Sequence, residues 1–208
     1  PEISAVYIAT PPSSHAANAI MAMQAGKPVY VEKPMALDHA ECLEMNRVSS
    51  ETGMPLFIAY YRLSMDNFLK VKELLDKHAI GRVLVVQSSL IVPPREEDLD
   101  PNNLPWRVRP EISGGGYFYD MGCHELDILN YYFGMVKSVE GWQANMGGLY
   151  PAEDTVTASM VFESGLLYTG VWCFAAAKEA AADAIEIIGD KGRISFSCFQ
   201  FTPIEWVS

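Results

Sequence analysis

The sequence predicts an α/β protein: part of a parallel sheet, followed by an α+β domain with a mainly antiparallel sheet. Three observations carry this. Apolar strands alternate with capped helices as far as Tyr61. Beyond Tyr61 the rhythm changes to a helix, a long proline-rich loop, a second helix and a run of closely spaced strands. No glycine-rich phosphate-binding turn accompanies the first strand, Ala5-Val6-Tyr7-Ile8-Ala9, so the parallel sheet is expected to open at a middle strand and the chain to be truncated.

The elements follow in order. Thr10-Pro11-Pro12 ends the first strand, and Ser13 and Ser14 are N-cap residues for a helix over residues 16–25 with Gly26 at its C-cap. Pro28-Val29-Tyr30-Val31 is the next strand, stopped by Pro34. Asp38 caps a helix ending at Gly53, and residues 55–60 form a third strand. Continuous apolar strands joined by helices predict a parallel sheet covered on both faces. In the second region a helix over residues 67–78 ends at Gly81, and a strand over 83–92 follows. The stretch 93–110 carries Pro93, Pro94, Pro101, Pro105 and Pro110; a loop of that length in a compact domain is usually functional. A helix is expected over residues 116–133, then strands at 136–145, 154–162, 166–174, 184–188 and 192–196. Ser164-Gly165 and Asp190-Lys191-Gly192 supply turns. The strand at 166–174 is apolar on both alternating faces, Leu167, Val171 and Cys173 on one and Leu166, Tyr168, Trp172 and Phe174 on the other. One face suits the helices and the other a second subunit, which predicts a homo-oligomer, dimer or tetramer.

A formal charge of −11 excludes a nucleic-acid partner and docking on anionic lipid, both of which need a basic surface. Cys42, Cys123, Cys173 and Cys198 form no C-x-x-C pair, so neither a zinc ribbon nor a redox dithiol is indicated, and the thiols read as reduced in a cytoplasmic protein. No apolar run is long enough to span a bilayer, and the first residues carry no basic-then-apolar signal pattern.

Two motifs carry chemistry. Glu32-Lys33-Pro34 places a lysine at the carboxyl end of an apolar strand, where open α/β sheets bind ligands. The run Gly114-Gly115-Gly116-Tyr117-Phe118-Tyr119-Asp120-Met121-Gly122-Cys123-His124-Glu125-Leu126-Asp127 places Asp120 and His124 at i, i+4 on one helix face, with Asp127 two turns beyond Asp120. Oxidising a secondary alcohol needs a positioned carbinol carbon, a base for the hydroxyl proton and stabilisation of charge on the oxygen. An imidazole and an ammonium supply the last two.

These residues resemble the glucose–fructose oxidoreductase and inositol dehydrogenase family (Gfo/Idh/MocA). Ala5 to Pro11 with His15 is similar to that family's fourth Rossmann strand and its turn. Ala25 to Pro34 is similar to the fifth strand with its E-K-P signature, and Tyr60-Tyr61-Arg62 to the strand leading into the second domain. Trp106-Arg107 and residues 114–127 resemble its substrate-side motif. The resemblance implies a partial Rossmann domain over residues 1–61 and a substrate-binding, dimerising domain over 62–208. It implies NAD or NADP as cofactor and hydride transfer to or from a sugar, polyol or related hydroxyl compound. Lys33, Asp120 and His124 become the expected catalytic residues, with His124 as general base or acid. Thr10, Pro11, His15, Glu32, Lys33 and Arg62 fall on the cofactor side, Glu32 holding the lysine or the nicotinamide ribose. Trp106, Arg107, Asp120, His124 and Asp127 fall on the substrate side, and no metal is implied. The residue that separates NAD from NADP belongs to a segment this sequence lacks.

Blander readings stand beside these. Arg62 and Arg107 are also suited to surface ion pairs, Trp106 to the core, His15 to packing its own helix, and Asp127 to a structural hydrogen bond. Two rival functions are a metal-dependent hydrolase or isomerase with Asp120, His124 and Asp127 as ligands, and a non-catalytic sugar-binding and dimerisation module.

Overall fold

Short apolar runs bounded by proline and glycine become the strands β1 (Val6–Ile8), β2 (Val29–Val31) and β3 (Leu56–Ile58) in the computed structural model, which describes residues 2–208. They pair in parallel in the order β1-β2-β3, Val6 beside Val29 and Val29 beside Leu56. Helices α1 (His15–Gln24) and α2 (His39–Thr52) make the crossovers and pack on each other. Ile8, Val29 and Val31 meet Ala19, Met23, Met45 and Val48 in a core of their own. Asp38 caps α2 by accepting from the Glu41 amide, and Gly53 closes it at φ 67°. Ser14 behaves differently from expectation. Its hydroxyl donates to Thr10 Oγ1 at 2.8 Å and to the Pro11 carbonyl at 3.2 Å, and a 3-10 turn (Pro12–Ser14) leads into α1 without a side-chain cap.

The expected cover on both faces is corrected. Tyr7, Tyr30 and Phe57 lie side by side in register on the face away from the helices and are 58%, 42% and 59% exposed. The strand order explains it: successive crossovers that step the same way along a sheet place both helices on the same side.

The second unit contains α3 (Asp66–Asp76), β4 (Val83–Ile91), a long loop with 3-10 turns at Glu96–Leu99 and Trp106–Val108, and α4 (Pro110–Ser113). A π-helical turn (Phe118–Gly122) then enters α5 (Cys123–Phe133), where the sequence suggested one uninterrupted helix. Six strands follow: β5 (Val136–Ala144), β6 (Thr155–Phe162), β7 (Leu167–Cys173), β8 (Ala182–Gly189), β9 (Arg193–Phe196) and β10 (Glu205–Val207). The seven-stranded sheet has the order β10-β9-β8-β4-β7-β6-β5, and β4–β7 is its parallel pair. The short edge strand β10 was not read from the sequence, because three exposed residues carry no burial pattern.

One sheet face packs under α3 and α5, with Trp172, Phe162, Ile185 and Leu90 against Phe68, Ile128 and Leu129. The opposite face carries Gln87, Thr157, Thr169 and Glu186 beside Leu167. On β7 the alternation is strict, Tyr168, Gly170 and Trp172 buried and Leu167 55% exposed.

A buried carboxyl lies between α5 and this sheet. Glu125 Oε2 accepts from Trp172 Nε1 at 2.9 Å and from Ser88 Oγ at 3.2 Å, and Ser88 also bonds the Tyr168 hydroxyl at 2.6 Å. Burial pushes the Glu125 carboxyl from 4.5 up to about 7, against the pull of the two donors. A carboxyl raised in the folded state takes up a proton on folding, so stability is greatest below pH 4.5 for this group and falls as pH rises towards 7. Glu125→Gln should remove that slope. Chemical denaturation of the variant and the parent across this window should show their difference shifting by on the order of 3 kcal/mol in favour of the variant; parallel curves would refute the assignment.

Candidate active site

The site forms where the carboxyl ends of β1 and β2 meet the π-helical turn. β1 and β2 are parallel neighbours, so the turns after them, Thr10-Pro11 and Lys33-Pro34, emerge side by side. A buried imidazole ties them together. His15 Nε2 lies 2.7 Å from the Thr10 carbonyl oxygen and Nδ1 lies 2.9 Å from that of Pro34. His15 was expected on the cofactor side. With both ring nitrogens occupied by backbone and no exposed surface, it is instead a clip that fixes the two turns. The Lys33-Pro34 peptide bond is cis.

Lys33 Nζ donates to Asp120 Oδ1 at 2.6 Å and to the Asp120 carbonyl oxygen at 2.9 Å. The π-helical turn presents both of these acceptors, consistent with the frequent placement of such turns at functional sites. Arg107 Nε approaches the second carboxylate oxygen, Oδ2, at 3.3 Å, and its guanidinium lies 4.5 Å from the Trp106 ring. Lys33, Asp120 and Arg107 thus share one carboxylate. Glu32, one of whose expected roles was to hold the lysine, instead accepts from the Tyr7 hydroxyl, because side chains alternate along the strand.

His124 follows Asp120 by four residues and sits in an aromatic box. Tyr61, Tyr60 and Phe199 surround it with ring centroids at 5.7, 6.1 and 6.2 Å. Its Nδ1 is buried without a hydrogen-bond partner. Burial first, then the Lys33 and Arg62 charges, push its pKa down to about 3 despite the opposing Asp120. The ring is therefore a neutral imidazole with an available lone pair. Burial raises the Asp127 carboxyl to about 6, and it joins no ion pair among the described residues. Cys123 donates to the Asp120 carbonyl at 3.3 Å, its thiol pushed up by burial.

Arg62 is not a surface ion-pair partner. It is 8% exposed, donates from Nη1 to the Cys198 carbonyl at 2.7 Å, stacks 4.6 Å from Phe199, and leaves its Nε buried and unpaired. Phe199 was missed by the sequence reading. It lies in the turn after β9, held because Asp183 accepts from the amides of Cys198, Phe199 and Gln200 at 2.9, 2.7 and 2.7 Å. An aspartate within an ordinary strand gives no local signal of such a contact.

The arrangement offers an ammonium and a neutral imidazole around Asp120 at the carboxyl ends of parallel strands. Together they can hold a hydroxyl, stabilise negative charge on its oxygen and accept its proton. The rival metal reading loses its first ligand, since the Lys33 ammonium occupies Asp120; no three His, Cys, Asp or Glu side chains converge on a metal-sized space among the described residues. Ring-nitrogen NMR should show His124 neutral from pH 8 down to about pH 5. Lys33→Met should raise its pKa by removing one repulsive charge, while burial keeps it below the ordinary value; an unchanged titration would dissociate the two groups.

Comparison with known proteins identifies the family. Residues 1–60 match the oxidoreductase family described as an NAD-binding Rossmann fold, and residues 68–195 match the GFO/IDH/MocA C-terminal domain. Oxidoreductase P35 of Formosa agariphila is 36% identical over 200 residues, covering 96% of this chain and 61% of that protein. D-xylose dehydrogenase of Paenarthrobacter nicotinovorans is 31% identical over 140 residues, covering 67% of this chain and 36% of that protein. The crystal structure of the WlbA dehydrogenase from Bordetella pertussis, in complex with NADH and UDP-GlcNAcA, superposes with a TM-score of 0.87 at 26% identity, covering 99% of this chain and 61% of that one. The chain thus spans about three-fifths of the length of the first of these relatives and of the WlbA chain. Two family matches that together take in most of the sequence, and a relative above 30% identity over nearly all of it, place the chain in the Gfo/Idh/MocA oxidoreductase family.

Proposed function

We propose that this chain carries the catalytic and substrate-binding part of an NAD(P)-dependent oxidoreductase acting on a sugar, polyol or related hydroxyl compound. Residues 1–61 form the second half of the nucleotide-binding domain, and residues 62–208 the substrate and assembly domain. The observation that carries this reading is the Lys33–Asp120 pair with His124 beside it, at the carboxyl ends of parallel strands. The names of the relatives, D-xylose dehydrogenase among them, point the same way, as does the NADH held by WlbA.

The residues fit a nicotinamide. The Thr10 and Lys33 turns converge on the cleft, while His124 Nδ1 and Arg62 Nε are buried polar atoms without partners. When bound, a nicotinamide supplies the hydride acceptor or donor. Thr10 and Pro11 would hold it by backbone, with Arg62 and Glu32 on the cofactor side. Lys33 donates to the substrate oxygen and stabilises charge on it, His124 takes the hydroxyl proton, and Asp120 holds the ammonium in place. Asp127 and Trp106 bind the substrate's remaining hydroxyls and its apolar face.

Calorimetric titration of the full-length protein with NADH and NADPH tests the cofactor assignment, and micromolar affinity for one of them is expected. Absence of binding would favour the non-catalytic sugar-binding module. Lys33→Met and His124→Ala should each lower kcat by about 10²–10⁴-fold with cofactor affinity retained; wild-type turnover in either variant would refute the mechanism.

The open face of the seven-stranded sheet suits a second copy of the chain, giving a homo-oligomer. Its unpaired cysteines and the lack, among the described residues, of any helix long and apolar enough to cross a membrane are consistent with a cytoplasmic enzyme. Leu167→Arg together with Thr169→Arg should shift light-scattering mass to that of a monomer while leaving the far-UV spectrum intact; an unchanged mass would move the interface elsewhere.

A further inference from the structure

We infer that the hydroxyl compound taken by this site carries a carboxylate, received by the guanidinium of Arg107 on the face of Trp106. The inference rests on the oxidoreductase reading above and narrows its substrate class.

The charge balance points to it. Lys33 and Arg107 both lean on the single carboxylate of Asp120, at 2.6 and 3.3 Å. The three-residue cluster therefore keeps one positive charge in excess. A third cation, Arg62, lies on the same aromatic wall as His124 through Phe199 and has no carboxylate partner among the described residues. This excess arises in a chain whose formal charge is −11. A local cationic cleft in an acidic protein focuses field towards anions.

The cofactor's diphosphate does not account for Arg107. In a doubly wound sheet that group is held at the first strand–helix turn, which carries the glycine fingerprint and is not in this sequence. Arg107 comes from the other unit, in the loop between β4 and α4. Its geometry is that of a receptor for a planar anion. Only Nε meets Asp120, and neither Nη group bonds to protein among the described residues. Stacking on Trp106 fixes the plane of the fork, and the side chain is 39% exposed, open to an incoming ligand. A flat guanidinium with a free edge binds a carboxylate by two parallel hydrogen bonds.

The test uses the full-length protein and matched pairs that differ in the acid alone: D-gluconate against D-glucitol, and methyl glucuronides and galacturonides against the methyl glucosides and galactosides, with glucose 6-phosphate as the phosphate arm. Initial rates of NAD(P)H formation and calorimetric binding are both recorded. At least one acid should exceed its neutral partner about tenfold or more in kcat/KM. Arg107→Gln should lower kcat/KM for the acid about tenfold or more beyond any loss for its neutral partner, mainly through KM, and be partly rescued by Arg107→Lys. Equal use of acid and neutral partners, a preference for neutral compounds or for the phosphate, an equal effect of Arg107→Gln on both classes, or no acid bound at all would each overturn the proposal. Turnover of neutral compounds would leave the oxidoreductase reading standing, while absence of nicotinamide binding would remove that reading itself.

Discussion

The Lys33–Asp120 contact is the constraint on which the site depends. It joins the end of a strand in one sheet to a helical turn that belongs to the other, 87 residues later. Both side chains are largely withdrawn from water, 17% and 16% exposed. A pair so placed is weak evidence for added stability, because desolvation offsets much of its attraction. Its value is geometric. Two charge-assisted hydrogen bonds to one residue, at 2.6 and 2.9 Å, hold the ammonium in one place.

Supports for that contact come from both sides and use different physics. On the strand side the buried His15 ring is wedged between the Thr10 and Pro34 carbonyl oxygens, within hydrogen-bonding distance of both, and a ring N–H donated there in a dry environment is costly to lose. On the helix side, backbone packing is tight enough to require glycine. A Cβ at Gly116 would stand 2.2 Å from the Glu153 carbonyl oxygen, and one at Gly122 would meet the Phe118 ring at 2.6 Å. The glycine cluster before Asp120 thus lets the helix start close to neighbouring chain. His124 depends on a third support, the Asp183-anchored turn that presents Phe199 to it and to Arg62.

Electrostatics then divides the labour. His124 is neutral because it is buried beside two cations, which leaves a ring lone pair free to accept a hydrogen bond. Glu125, the next residue along α5, points the opposite way into the core and has its carboxyl raised by the same burial. Adjacent residues on one helix therefore serve a cleft and a core, a consequence of the 100° step between them.

Much of this was legible in the sequence. The strand and helix order, Asp38 and Gly53 as helix ends, and the two motifs carrying Lys33, Asp120 and His124 follow from local rules: alternation, capping chemistry and spacing depend on residues a few positions apart. The family is legible for the same reason, since its signatures are contiguous. What the sequence left undecided involves partners far along the chain. Glu32 bonding Tyr7 instead of Lys33, His15 turning from ligand contact to clip, Arg62 buried against Phe199, and the aromatic face of the first sheet left uncovered all depend on which elements meet in space. The i, i+4 spacing of Asp120 and His124 also concealed a π-helical turn, which gives Lys33 both the side chain and the carbonyl of Asp120. The sequence alone determined the chemistry available, because side-chain type is local; the tertiary structure decided which groups face one another, because burial and charge pairing are properties of the packed chain.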